Sequence, residues 1–453
     1  MVIVIGAGIT GLAAAYELAA RQVAFRVFEA SPRAGGLILT ENAGGFTVEA
    51  GPDSVLAHKP AAIDLCAALG LEPRLISTTP PRTAFVLSGG RLHPLPSPSL
   101  LGIPLSLRGI ARYGLLPVAA RARLALEPLV PKGHAEDESV ADFFRRRFGR
   151  ATVPLVAEPL LGGIHAGDVE RLSLRSLFPR LAEAERRQPS VLRAFSRTHR
   201  AGAGEGPFRS LTSGMCELVT AIERRLPAGS IQFDAPVDGL SHNGGRWVVS
   251  ARGTELAAAA VIVAAPAHVA ARLLAPIDGR AAALCSEIPY VSTASLALGF
   301  RREAVRHPLD GSGFVVARRS SALRITACTW VSSKWSGRAP AGHVLLRAFI
   351  GGVHDPDAVD LDDDALVALA SSELAGVLGI TGDPVLARVH RWRAAAPQHN
   401  VGQIARVAAL DARLASSRGL FVAGSGFRSV GIPDCIADGR AAAVAAAATV
   451  AVE

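Results

Sequence analysis

The chain has 453 residues, 49% of them hydrophobic and 19% charged, which excludes a disordered or fibrous polymer and allows two or three domains with ample core. Its 48 Lys and Arg against 39 Asp and Glu leave a formal charge of +9, scattered rather than blocked. That pattern suits an anionic small molecule or an anionic membrane surface and argues against nucleic acid. The five cysteines (Cys66, Cys216, Cys285, Cys328, Cys435) stand far apart without a CxxC pair, as in a reduced, cytoplasmic protein with neither disulfide framework nor metal site. The apolar stretches 257–267 and 441–452 are too short to span a bilayer, and no leader is expected ahead of a strand that starts at Val2.

The first thirty residues organise the rest. Val2-Ile3-Val4-Ile5 reads as a buried parallel strand, 12–20 as a helix and 24–28 as a second strand ending on Glu29 and Ala30. Between strand and helix lies Gly6-Ala7-Gly8-Ile9-Thr10-Gly11. Gly6 permits the tight turn, Gly8 lets the backbone approach a pyrophosphate, and Gly11 lets helix and strand pack closely. The helix start offers N–H groups and a positive dipole end to phosphates. Glu29, 18 residues after Gly11, is placed to accept both ribose hydroxyls. Taken in this order, these features indicate an adenine dinucleotide.

Next come Ser31-Pro32-Arg33-Ala34-Gly35-Gly36-Leu37 and Glu49-Ala50-Gly51-Pro52-Asp53-Ser54. Arg33 before a Gly-Gly pair resembles the second dinucleotide motif of the flavoprotein oxidase superfamily that includes monoamine oxidases, phytoene desaturases and porphyrinogen oxidases. The resemblance implies FAD, with this loop along the pyrophosphate and Arg33 neutralising phosphate charge.

Residues 38–50 read as two short strands around Gly44-Gly45, 60–69 as a helix closed by Gly70, and 84–93 as a hairpin across Gly89-Gly90. From 94 to about 200 the texture is that of a helical insertion. Within it, 107–126 sets Arg108, Arg112, Arg121 and Arg123 among leucines, readable as a peripheral membrane face or as packing over a substrate channel. A Gly-rich connection at 200–206 precedes a helix led by 211–215, and strands at 231–237, 247–251 and 260–265 are expected to return to the first sheet. Residues 292–351 are β-rich, 362–378 helical, and 420–424 a last strand before a Gly-rich loop and a helix over 435–448. The expected fold class is α/β (α+β, multidomain). A discontinuous Rossmann-like FAD-binding domain (1–80, 206–280, 391–453) would carry a hairpin (81–96), the helical insertion (97–205) and a β-rich substrate domain (281–390).

The tail Gly424-Ser425-Gly426-Phe427-Arg428-Ser429-Val430-Gly431-Ile432-Pro433 resembles the closing motif of the porphyrinogen oxidases. Leu92-His93-Pro94-Leu95-Pro96, the stretch Glu158-Pro159-Leu160-Leu161-Gly162-Gly163-Ile164-His165, and Trp392-Arg393-Ala394-Ala395-Ala396-Pro397-Gln398 match the same family, over essentially the whole chain. The resemblance implies that Val237 meets the adenine end, that Trp392, Gly424, Val430, Gly431 and Ile432 meet the flavin, and that a porphyrinogen is oxidised with molecular oxygen as a step of heme biosynthesis. Protoporphyrinogen enzymes of the family often carry an Arg where this chain has Ala84, with Arg82 one pleat earlier. Gly51-Pro52-Asp53-Ser54 with Lys59 behind it looks like the coproporphyrinogen III subgroup. Lys59, Arg82, Arg209 and Arg338 are candidates for propionate pairing. Gly162-Gly163 is read either as backbone carbonyls meeting pyrrole N–H groups or as a plain loop, and His165 as a proton relay or a structural residue. No strong side-chain base is required, since positioning, water exclusion and carboxylate binding suffice. The amine oxidase alternative is disfavoured because Tyr16, Tyr113 and Tyr290 all lie far in sequence from 424–436. A flavin-binding scaffold without turnover is the non-enzymatic alternative, and contact with the next enzyme of the heme pathway is an open expectation.

Overall fold

A computed structural model describes residues 1–198, 206–428 and 430–450, so the Gly-rich connection expected at 200–206 lies, Gly206 apart, outside the described residues. The fold is mixed α/β. A five-stranded parallel sheet runs in the order Ile231–Gln232, Phe25–Phe28, Val2–Ile5, Ala260–Val263, Leu420–Val422. Its central strands are the all-apolar runs, with Val2, Ile3, Val4, Val261 and Ile262 fully buried because helices cover both faces. On one face the helix Ile9–Ala20 packs against Ile432–Val450, and a Cβ at Gly439 would stand only 2.1 Å from the Thr10 carbonyl oxygen. The other face is covered by Ala267–Leu274, Gly279–Ser286 and Gln403–Leu414.

One expectation fails here. Residues 246–251 do not return to the parallel sheet but sit in a separate antiparallel sheet of Val237–Asn243, Arg246–Ala251 and Thr254–Ala258. Gly244 and Gly245 (φ +58° and +79°) and then Arg252 and Gly253 (φ +52° and +74°) make tight turns on either side of it. Local hairpin pairing therefore captures the strand, and its buried residues alternate (Trp247, Val249, Ala251) as a half-exposed sheet demands.

A seven-stranded sheet forms the second body, in the order Leu386–Pro397, Tyr290–Arg301, His343–Gly351, Ala327–Trp330, Gly313–Val316, Ala84–Ser88, Arg91–Pro94. The helix Asp363–Leu378 covers it. The insertion is helical and held from within by a fully buried ion pair, Arg147 Nη2 to Glu127 Oε1 at 2.7 Å. Its centre, Val153–Gly162, is a widened helix in which Gly163 N–H donates to the Glu158 carbonyl five residues back. Pro159 inside it has no N–H to give an ordinary turn, and such widened turns favour functional sites.

Candidate cofactor and substrate site

A cavity of about 600 Å³ lies where the pieces of the parallel sheet meet the seven-stranded sheet. It is lined by Gly6, Gly8, Ile9 and Thr10, by Glu29, Ala30, Gly36, Leu37, Pro52 and Val237, and at its far end by Trp392, Gly424, Val430 and Ile432. The three glycines of the first turn separate by role. Gly6 takes φ +102° with the Ala264 carbonyl 2.6 Å from where a Cβ would stand, and a Cβ at Gly11 would sit 1.9 Å from the Gly6 oxygen. A Cβ at Gly8 would meet no protein atom within 4 Å, so that space belongs to the cavity. The helix from Ile9 starts without a side-chain cap, leaving its first N–H groups and dipole end free to bind an anion. Glu29 accepts from Ala7 N at 2.6 Å and from Ser31 N and Oγ at 2.9 and 2.7 Å. Its carboxylate thus fixes the glycine turn as well as facing the cavity.

Other expected residues stand behind this lining. Ala7 and Gly11 are inside the turn. Arg33 does not present its guanidinium to a phosphate: it donates to the carbonyls of Ala34, Ile38 and Gly36 at 3.0, 3.0 and 2.6 Å and so closes its own loop. Asp53 is a correction as well. It is buried against Lys334 Nζ (2.9 Å) and Trp335 Nε1 (3.2 Å), with Ser54 Oγ donating to it at 2.7 Å. Burial pushes its carboxyl up, but Lys334 and Arg347 outweigh that and hold it below the usual carboxylate range. Gly51 packs under the loop, a Cβ there falling 1.8 Å from the Leu37 oxygen. This segment is a strut: Arg347 Nη1 donates to the Glu49 and Gly51 carbonyls (2.8 and 2.7 Å), and Ser295 Oγ and Trp392 Nε1 to that of Ala50 (2.7 and 2.9 Å).

At the tail, Gly424 takes φ +121° and its N–H donates to Asp438 Oδ2 at 2.8 Å. The last helix begins at Ile432, three residues before the expected 435. Gly431 lies just off the lining, with Asp434 Oδ2 2.7 Å from its Cβ position. That same oxygen pairs with Lys59 Nζ at 2.5 Å, so Lys59 is already engaged.

The remaining candidates divide. Arg82 donates Nε to the Thr78 carbonyl and Oγ1, and Arg209 donates Nη1 to Gly206 and Phe208 carbonyls. Arg338 is buried, giving its Nη groups to Ser210 Oγ and the Leu211 and Thr212 carbonyls, which removes it from substrate binding. Gly162 and Gly163 are helical rather than loop, and their carbonyls already accept from Gly167 N and Ala166 N. They border a narrow cavity facing Val316 and Gly351 of the large sheet together with Arg318 and Thr326. His165 is buried, its imidazole pushed down to about 4 by burial and by His399 nearby. That value is far from the operating range of a relay and fits a structural residue.

Sequence reasoning missed Tyr290, His268 and Arg272, which all line the large cavity. Tyr290 Oη accepts from Ala267 N at 2.8 Å and lies 2.4 Å from a Cβ position at Gly426. It is remote from the tail in sequence yet against it in space. Its phenol is pushed up to about 12 by burial, so it stays neutral. The Ala264-Ala265-Pro266 turn after a buried strand was the available signal for this wall. Among the described residues no group of three or more His, Cys, Asp or Glu can hold a metal, and no helix is long and apolar enough to cross a membrane.

Residues 9–447 match the family model described as flavin containing amine oxidoreductase. Coproporphyrinogen III oxidase of Bacillus subtilis (strain 168) is 37% identical over 97% of this chain and 96% of its own length. That of Staphylococcus aureus (strain NCTC 8325 / PS 47) is 31% identical over 98% of each. A crystal structure from Exiguobacterium sp. 255-15, provisionally assigned as a protoporphyrinogen oxidase, superimposes with TM-score 0.88 at 30% identity, covering 99% of this chain and 98% of that one.

Proposed function

Because this chain belongs to the flavin containing amine oxidoreductase family, beside coproporphyrinogen III oxidases, we propose that it oxidises coproporphyrinogen III to coproporphyrin III in heme biosynthesis, with protoporphyrinogen IX the poorer substrate. The cofactor is FAD. The observation that carries the reading is the cavity from Glu29 past the uncapped helix start to Trp392: it is long, a Cβ at Gly8 in its middle would enter open space, and its far end lies beside the N-terminus of the last helix. Glu29 and Val237 would hold the adenosine end, Gly8 and the helix N–H groups the pyrophosphate, and Trp392, Gly424, Val430 and Ile432 the ring.

FAD would supply a two-electron acceptor, so the six electrons of the porphyrinogen would leave in three rounds, with three O₂ reduced to three H₂O₂. The chain's own residues position and exclude. The helix from Ile432 directs its positive end at the region where negative charge develops. The strut 49–53 fixes the loop carrying Leu37, and the widened helix 153–162 with the large sheet walls off water. Incubating the FAD-loaded protein with coproporphyrinogen III and protoporphyrinogen IX in parallel, reading porphyrin fluorescence and peroxide, tests this. Higher kcat/KM for coproporphyrinogen is expected, better turnover of protoporphyrinogen would reverse the substrate preference, and turnover of neither would remove the oxidase reading.

A second feature supports peripheral contact of the insertion with an anionic membrane face. Leu107, Val118, Leu126 and Leu129 are exposed, and Arg108 and Arg112 stand exposed on the same segment. Cosedimentation with anionic but not neutral vesicles is the expected result, and no cosedimentation with either would refute it.

A further inference from the structure

The narrow cavity between the widened helix and the large sheet is bordered by a cation whose Nη1 has no hydrogen-bond acceptor among the described residues. Arg318 opens the short turn Arg318–Ser320 that follows the strand Gly313–Val316. It is half-buried and lines this cavity, and its Nη1 is enclosed without any hydrogen-bond acceptor. Asp355, whose carboxylate feels the Arg318 charge, is taken by Arg324, which grips it through Nε and Nη2 at 2.8 and 2.9 Å. Glu158 lines the cavity as well, yet it forms no ion pair with Arg318 among the described residues. The Thr326 hydroxyl donates to the Phe349 carbonyl at 3.2 Å, so among the described residues lining the cavity Arg318, beside His354, is a donor open to a ligand.

A charged donor enclosed without an acceptor is costly, and the structure retains one where space adjoins it. That space is about 30 Å³, room for a few atoms and not for a macrocycle. On its wall a Cβ at Gly163 would meet nothing within 4 Å, so the bare backbone there lets a flat group approach closely. A planar carboxylate on a flexible arm has the size, the sign and the forked geometry that a guanidinium prefers.

We infer that Arg318 is a specificity-determining residue that takes one propionate carboxylate of the tetrapyrrole, with the arm passing beside Gly162-Gly163. The inference rests on the proposed porphyrinogen oxidation and adds to it a cation that the sequence pattern did not single out. Glu158 on the same cavity disfavours an over-deep or second carboxylate by like-charge repulsion.

The test measures KM in turnover and, independently, binding of the product coproporphyrin III by quenching of its fluorescence. Arg318→Met is expected to raise both KM and the product Kd about ten-fold, the size of a lost charged hydrogen bond, while FAD content stays at the wild-type level. Arg318→Lys should recover part of the loss, because it keeps the charge without the fork. Binding of coproporphyrin III tetramethyl ester, which has no carboxylate, should be the same in wild type and Arg318→Met. Glu158→Gln should leave Kd for the acid unchanged or lower it. Acid and ester weakened equally by Arg318→Met, a Kd within two-fold of wild type, or a Glu158→Gln variant that binds the acid more weakly would each overturn the assignment. Wild-type protein that binds coproporphyrin III but oxidises no porphyrinogen would sink the oxidase reading and leave this subsite standing.

Discussion

Two glycines three residues apart should fail in opposite ways when each is changed to alanine. At Gly11 the new Cβ would stand 1.9 Å from the Gly6 carbonyl oxygen. Backbone must move by about an ångström in a close-packed wall, and overpacking of this kind costs about 1–3 kcal/mol. For a chain of this size that is a fall in Tm of roughly 1–3 °C. At Gly8 the backbone is at φ −66° and ψ 174°, open to any residue, and the Cβ meets nothing within 4 Å. Gly8→Ala should therefore leave the apoprotein's Tm unchanged to within the ~0.5 kcal/mol typical of neutral substitutions. Its methyl would occupy the space a pyrophosphate needs, so FAD affinity should drop at least about ten-fold. Thermal unfolding of the flavin-free variants, paired with FAD titration by flavin fluorescence quenching, separates the two effects. If Gly8→Ala binds FAD like wild type, the cavity is not where the pyrophosphate lies. If Gly8→Ala unfolds as early as Gly11→Ala, the division of roles between the glycines is mistaken.

Glu29→Gln keeps the shape but removes the charge that accepts from Ala7 N, Ser31 N and Ser31 Oγ. A charged hydrogen bond is worth about 1.5–3 kcal/mol, so about ten-fold weaker FAD binding is expected, and an unchanged titration would show that Glu29 does not hold the ribose. Gly431→Val drives a side chain onto Asp434 Oδ2 and away from Lys59, and should lower FAD retention and turnover together; normal flavin content with normal rate would refute this. Lys59→Ala by itself breaks a half-exposed pair worth about 0–1 kcal/mol, so it should shift the KM for coproporphyrinogen III less than about five-fold, and a larger rise would mean that Lys59 leaves Asp434 for the substrate. His165, pushed down to about 4 by burial, is neutral when folded, whereas the unfolded chain takes up a proton below about pH 6.5. Its contribution is present above pH 6.5 and is lost as pH falls toward 4, by about 2 kcal/mol at pH 5. Tm should drop between pH 7 and 5, less so in His165→Asn, and parallel curves for the two proteins would contradict the buried neutral histidine.

The chemistry of the first thirty residues was legible because it is local. Strand, glycines, helix start and Glu29 are spaced by backbone geometry alone, and the same held for the hairpin across Gly89-Gly90, the helix Asp363–Leu378 and the strand Leu420–Val422. What only the tertiary structure decided was the partner of each charge. Asp53 meets Lys334 across 281 positions of sequence, and Arg338 is consumed by carbonyls at 211 and 212. Arg33 turns back on its own loop, Tyr290 reaches Gly426, and Arg318 Nη1 is left without an acceptor among the described residues. A residue's type states what it can bind, and periodicity states which face it takes. Whether that face is met by protein or left for a ligand depends on how segments hundreds of residues apart pack, and no spacing along the chain encodes that.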